Sequence, residues 1–296
     1  MDNFDKILKD LKEFGISKSN VYNILNPNEI EYYKQLEMFY TDALKNENVK
    51  QKINEIKKGN TDLNGKYKGY EITHDEILCE PLTFNNIPLV QLYLSNNIIK
   101  VAKAYLGEEI KLRNPLAWIH PSTNNKKEIR SQKWHRDQED TMMLKVFILF
   151  SNVTENNGPT QYVKSTNFSG KYKNIAPNMT WLTNHWSNKN SFVNKCYNFI
   201  RNKIPLNYPI PKDHIVKAIG EEGTIFFIDT NGLHKGGLVE EGMRLMTHCN
   251  FLKKSAPMLK NGMPLEHLNS DNKLFSFDYN SETFKSFDSE IKNILN

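Results

Sequence analysis

Two histidines, an aspartate and an arginine carry the chemistry this sequence offers. His135 and Asp137 stand two apart in Gln132-Lys133-Trp134-His135-Arg136-Asp137. Trp134 to Asp137 reads as a strand, and side chains two apart on a strand share a face, so both can meet one metal ion. A lone His-x-Asp recurs by chance and needs a third ligand. His234 supplies it within Asp229-Thr230-Asn231-Gly232-Leu233-His234-Lys235-Gly236-Gly237, after a strand and a glycine-containing turn. Two imidazoles and one carboxylate occupy one face of a six-coordinate metal and leave three positions open, the geometry of non-haem Fe(II) oxygenases.

Arg244, ten residues beyond His234, gives the open positions a purpose. A 2-oxo acid chelates iron through its 1-carboxylate and keto oxygen. If it is a dicarboxylate, its far end must be held, and a guanidinium can grip it through two parallel hydrogen bonds. Lys145 sits in an otherwise apolar strand. Either its face looks into a pocket, where a buried ammonium needs an anionic partner such as the co-substrate or substrate, or it lies on an exposed strand edge. His248 falls on the same side of its strand as Arg244 and reads as a packed histidine rather than a fourth ligand. His120 is an open choice between the substrate approach and the core. Glu139 and Asp140 read as a solvated loop.

The elements that must position these groups change character along the chain. Residues 4–14 place Phe4, Ile7, Leu8 and Leu11 at helical spacing, with Gly15 as the stop. Asn26-Pro27 is an N-cap followed by an N1 proline, opening a long amphipathic helical region over 27–58. Residues 59–70 read as a loop, and 86–106 as a helix or helix pair ending at Gly107. Then come strands: 110–119 broken at Pro115, 144–153 as a nearly continuous apolar run, a turn at Asn156-Asn157-Gly158-Pro159, a return over 160–163, and 215–219, 224–229 and 243–252. Short strands with frequent turns predict a barrel or jelly roll. Residues 166–213 are long and aperiodic. With Trp181, His185, Trp186, Tyr197 and Arg201 they are a candidate lid, the alternative being a peripheral aromatic insertion. The tail, 253–296, is polar with a short final helix at 284–295. One domain is expected: a mostly helical cover over 1–107, a jelly-roll core over 108–252 and the tail.

Composition narrows the function classes. The 296 residues are 39% hydrophobic and 25% charged, with a net charge of +5 from 39 basic and 34 acidic residues. The basic residues are scattered, so no nucleic-acid partner is expected. Cys79, Cys196 and Cys249 form no Cys-x-x-Cys pair, which argues against a disulfide framework or a zinc-thiolate site. The acidic N-terminus has no apolar core of a secretory signal and no stretch reaches the length of a membrane span, so a cytoplasmic protein without a membrane is expected. Nothing in the sequence speaks to oligomeric state.

The stretches Trp134-His135-Arg136-Asp137-Gln138-Glu139-Asp140, the apolar strand running into Val153-Thr154-Glu155-Asn156-Asn157-Gly158-Pro159, Asp229 to Gly237, and Arg244 resemble the phytanoyl-CoA dioxygenase family of Fe(II)/2-oxoglutarate oxygenases. The resemblance spans roughly residues 110–252. It implies an α+β fold with a mainly β core, a double-stranded β-helix (jelly roll) with the N-terminal helices packed on it. It implies His135, Asp137 and His234 as Fe(II) ligands and Arg244 as the 2-oxoglutarate anchor, and matches Gln132 to a position that helps bind the co-substrate. Two departures concern secondary co-substrate contacts. Lys164-Ser165-Thr166-Asn167 stands where the family commonly has Gly-Ser-His, and the turn after His234 lacks a hydroxyl. The expected activity is a dioxygenase that uses Fe(II), 2-oxoglutarate and O2 to hydroxylate or otherwise oxidise a C–H bond of a small organic substrate, releasing succinate and CO2. Lys145, Arg136 and Arg201 lean toward an anionic substrate. The rivals are a non-redox jelly-roll metalloenzyme, an isomerase or hydrolase, and a metal-containing binding protein.

Overall fold

The computed structural model describes residues 3–59, 65–67, 70–73, 76–79, 87–124, 128, 130–137, 139–175, 212–256 and 282–295. Its centre is an eight-stranded antiparallel sheet in the order β1-β9-β6-β11-β5-β4-β3-β2. The strands are β1 (Ile16–Asn20), β2 (Gly65–Tyr67), β3 (Tyr70–Thr73), β4 (Glu76–Cys79), β5 (Ile110–Pro121), β6 (Leu144–Leu149), β9 (Thr224–Ile228) and β11 (Met243–Lys253). A second, three-stranded sheet runs β10 (His234–Lys235), β7 (Gln161–Val163), β8 (Ile215–Lys217). The two sheets make the double-stranded β-helix, a jelly roll.

Side-chain parity on the large sheet sorts the core into two layers. Along β6, Leu144, Val146 and Ile148 join a cluster shared with the helices, as do Phe227, Cys249 and Phe251 on the neighbouring strands. The alternate residues Phe147 and Leu149 turn inward with Phe226, Ile228, Met246 and Tyr162. The unbroken apolar run in β6 is thus explained by burial on both faces, and Lys145 falls on the inward set.

The helical layer consists of α1 (Asn3–Phe14), α2 (Val21–Ile24), α3 (Pro27–Lys45), α4 (Glu47–Lys57), α5 (Ile87–Tyr93) and α6 (Asn96–Leu106). Asn26 caps α3 in a full capping box with Glu29, and Pro27 follows at its first turn. The helical region over 27–58 is two helices rather than one. Asn46 ends α3 and caps α4 by accepting from the amides of Asn48 and Val49. Tyr33 and Tyr40 of α3 pack on Phe150, with ring centroids 4.7 and 5.1 Å apart, and the Tyr40 hydroxyl donates to the Met246 carbonyl at 2.8 Å.

Among the described residues the mostly helical 1–107 region also holds four strands. β1 reads Ile-Ser-Lys-Ser-Asn because it is an edge strand held by backbone pairing to β9, which imposes no apolar alternation. β2, which lies within the expected 59–70 loop, β3 and β4 extend the opposite edge. Pro115 does not break β5. The register slips between Arg113–Asn250 and Leu116–His248, so the proline, lacking an amide donor, sits at a bulge. The C-terminal stretch forms two short helices, α7 (Glu282–Ser286) and α8 (Ser289–Leu295), rather than one. Most of the proposed lid, 176–211, with Trp181, His185, Trp186, Tyr197 and Arg201, lies outside the described residues. Among the described residues no helix is long and apolar enough to cross a membrane.

Candidate metal centre

The segment before β6 is extended but is not a strand. Among the described residues it pairs with β10 through a single bridge, with the His135 amide on the His234 carbonyl at 2.8 Å and the His234 amide on the His135 carbonyl at 2.9 Å. The Asp137 amide then donates to the Thr230 carbonyl at 2.9 Å. The two-residue alternation of an extended chain holds all the same. His135 and Asp137 turn to one side and Arg136 to the other. Arg136 is buried and donates to the carbonyls of Thr166, Asn231, Lys173 and Ile175 at 2.6–3.0 Å. It ties loops together and is not available to an anionic substrate, which corrects the earlier expectation.

His234 arrives from the other side on β10, opposite Tyr162 of β7. The turn before it is tightly fixed. The Asp229 carboxylate accepts the Asn231 amide at 3.1 Å and the Tyr105 hydroxyl at 2.7 Å. A Cβ on Gly232 would stand 1.8 Å from the Tyr162 hydroxyl, so any other residue must displace that ring or the turn. Asn231 in turn donates to the Asp137 and Asp140 carbonyls at 3.2 and 2.9 Å, linking the two ligand-bearing segments.

These constraints gather one ligand atom each from His135, Asp137 and His234 within 4.8 Å of one another, the one such group among the described residues. His135 Nε2 is 3.6 Å from Asp137 Oδ1, and His234 Nε2 is 3.8 Å from Asp137 Oδ2. Ligand atoms at adjacent corners of an octahedral site stand roughly 3 Å apart, given metal–ligand bonds of about 2.1 Å. Both carboxylate–imidazole distances are about 0.6–0.8 Å wider than that spacing. Each imidazole Nδ1 donates to a nearby carbonyl, Lys133 for His135 at 2.7 Å and Gly232 for His234 at 2.9 Å. That leaves both Nε2 lone pairs aimed inward. Burial, then His135, pushes His234 down to about 3, so it is neutral and ready to ligate. Burial alone would raise Asp137, but Lys145, His234 and His135 hold it well below the usual carboxylate range. The donor set fits a divalent metal of intermediate softness.

His135 and His234 line a cavity of about 260 Å³ together with Gln132, Lys145, Arg244, His120, His248 and Trp118. Arg244 is buried and donates to the Gly158 carbonyl. The turn signal at Asn157-Gly158 is where the chain presses on Gly237. Gly158 has φ +69, and a Cβ there would stand 2.7 Å from the Gly237 carbonyl. Lys145 lines the cavity, and its Nζ donates to Asp137 Oδ2 at 2.8 Å. His248 lies between the rings of Trp118 and Phe147 and is outside the ligand group. Asp140 is buried and Glu139 half-buried, correcting the solvated-loop reading. Burial, then Asp137, pushes the Glu139 carboxyl up. Cys249 is a buried free thiol. Asp229, Asn231 and Tyr162 were not singled out as part of the site. The Asp-x-Asn-Gly pattern, an Asx-turn signature, was the available signal for the first two.

No protein-family model matches the chain, and no curated protein matches it in sequence. Solved structures match in fold. AviO1 from Streptomyces viridochromogenes Tue57 is 13% identical with a TM-score of 0.50, over 87% of this chain and 98% of its own. The epimerase SnoN, solved in complex with Fe3+, alpha ketoglutarate and nogalamycin RO, is 11% identical with a TM-score of 0.50, over 86% of this chain and 84% of its own. At such identities the likeness is one of fold.

Proposed function

We propose that this protein is an Fe(II)- and 2-oxoglutarate-dependent oxygenase that oxidises a C–H bond of a small organic substrate. The observation that carries the reading is the convergence of His135, Asp137 and His234 on one point, with Arg244 in the same cavity. The motif resemblance to the phytanoyl-CoA dioxygenase family supports it. So does the similar fold of SnoN, solved with Fe3+ and alpha ketoglutarate.

His135, Asp137 and His234 would hold the iron, which with 2-oxoglutarate and O2 supplies the oxidising power and yields succinate and CO2. The chain's own work is placement. The carbonyls of Lys133 and Gly232 fix both imidazole tautomers. Arg244, held by the Gly158 carbonyl, would receive the far carboxylate of the co-substrate, with Gln132 on the cavity wall beside it. Phe147, Met246 and Trp118 make part of that wall apolar and limit water around the reacting groups.

Anaerobic titration of the protein with Fe(II) and then 2-oxoglutarate is the test. A weak visible charge-transfer band is expected, lost in His135→Ala and Asp137→Ala. A wild type without the band, or variants that bind iron as well as wild type, would sink the reading.

A further inference from the structure

The proposed metal centre contains a buried cation that the ligand set does not explain. Lys145 is on the inward face of β6, in cross-strand register with Asn250 of β11 and Ile228 of β9. Its Nζ reaches Asp137 Oδ2 at 2.8 Å, and its side chain is 16% exposed. A cation this close to a metal site opposes metal binding electrostatically, so its presence asks for a reason.

Each oxygen of Asp137 faces one ligand imidazole, Oδ1 at 3.6 Å from His135 Nε2 and Oδ2 at 3.8 Å from His234 Nε2, but Oδ2 also accepts the ammonium. A free carboxylate can bind a metal through one oxygen or through both. Two-oxygen binding would occupy a further corner of a six-coordinate site. It would leave about two open positions instead of about three, too few for a chelating co-substrate and oxygen together. An ammonium on Oδ2 competes with a metal for that oxygen and so disfavours the two-oxygen mode.

Resting on the metal-centre reading above, we propose that Lys145 is a positioning residue. It engages Asp137 Oδ2 so that the carboxylate offers a metal Oδ1 alone and three coordination positions stay open. Lys145 acts through Asp137, and no contact with substrate or co-substrate is required of it. The requirement is for a cationic donor at this place. Arginine can meet it, whereas methionine fills the space but leaves Oδ2 free.

Mn(II) is the probe, because water-proton relaxation counts the exchangeable waters on the bound ion. The wild type should carry about three, Lys145→Met about two and Lys145→Arg about three again. An infrared difference spectrum of the aspartate-labelled wild type, Mn(II)-bound minus metal-free, needs no variant and covers the case in which Lys145→Met does not fold. One-oxygen binding gives a wide separation of the antisymmetric and symmetric carboxylate stretches. A narrow separation overturns the proposal. So does a Lys145→Met protein that keeps wild-type hydration, whether or not its affinity for 2-oxoglutarate falls. If the wild type binds no Mn(II) at all, the metal-centre reading fails first and this inference with it.

Discussion

Arg244 is a sharp test of function at the level of single residues. It is buried, and its Nη1 is fixed by the Gly158 carbonyl. Lysine at this position would keep the charge but lose the two-pronged geometry. Arg244→Lys should weaken 2-oxoglutarate binding to the Co(II)-loaded protein by about tenfold to a hundredfold in calorimetry, roughly 1.5–3 kcal/mol. Unchanged affinity would remove Arg244 from the co-substrate site. Asp229 makes a different kind of prediction. Burial raises its carboxyl from 3.8 to about 6, against the hydrogen bonds from Tyr105 and the amides of Met143 and Asn231. The folded chain therefore holds a proton that the unfolded chain releases between these values. That contribution to stability is fully present below the unfolded value and lost as pH rises through the folded one. The loss amounts to about 3 kcal/mol at most across roughly pH 4 to 6. Urea melts should show wild type losing ground against Asp229→Asn over that window. A pH-independent difference would show that Asp229 titrates normally.

Turns and short strands set the site geometry at the next level up. β10 is only two residues long, yet it carries His234 and pairs with β7. What holds it is the close passage of Gly232 over the Tyr162 hydroxyl, which itself donates to the Asp229 carbonyl at 3.0 Å. Gly232→Ala must push that ring or the turn aside. Overpacking of this kind costs about 1–3 kcal/mol. The variant should melt earlier and also bind Fe(II) more weakly, because His234 is two residues away. Lower stability with wild-type iron affinity would separate the turn from the site. Arg136 works at the same scale, joining by its four carbonyl contacts the loop after β7, the turn before β10 and the ligand segment itself.

The whole molecule is built as a helical layer against one face of the large sheet, with the site on the other face. Phe150 is a junction between the layers, stacked on Tyr33 and tilted against Tyr40. Phe150→Ala should cost about 3–5 kcal/mol through lost burial and the cavity left behind. Because Phe150 directly follows β6, which carries Lys145 on its other face, the loss should be cooperative rather than confined to the helices. Thermal melts followed by far-ultraviolet circular dichroism and by tyrosine fluorescence should fall together. If the helices melt in a separate earlier step, the two layers are not coupled as described.

Periodicity and residue chemistry determined the helical start, the capped helix at Asn26-Pro27, the buried strand of β6, the turn at Gly158 and the group His135, Asp137 and His234 that the fold gathers. These were legible because each depends on near neighbours in sequence or on a side chain with few uses in its context. Edge strands β1 to β4 were not legible, since backbone pairing to a distant strand needs no apolar pattern of its own. Nor was the direction of Arg136, whose carbonyl partners lie 30 to 95 residues away. The sequence left Lys145 between an exposed edge and a pocket wall. Tertiary structure decided it, because the inward face of β6 becomes the cavity wall only when β9 and β11 flank it, and only then does Asp137 stand within hydrogen-bonding reach.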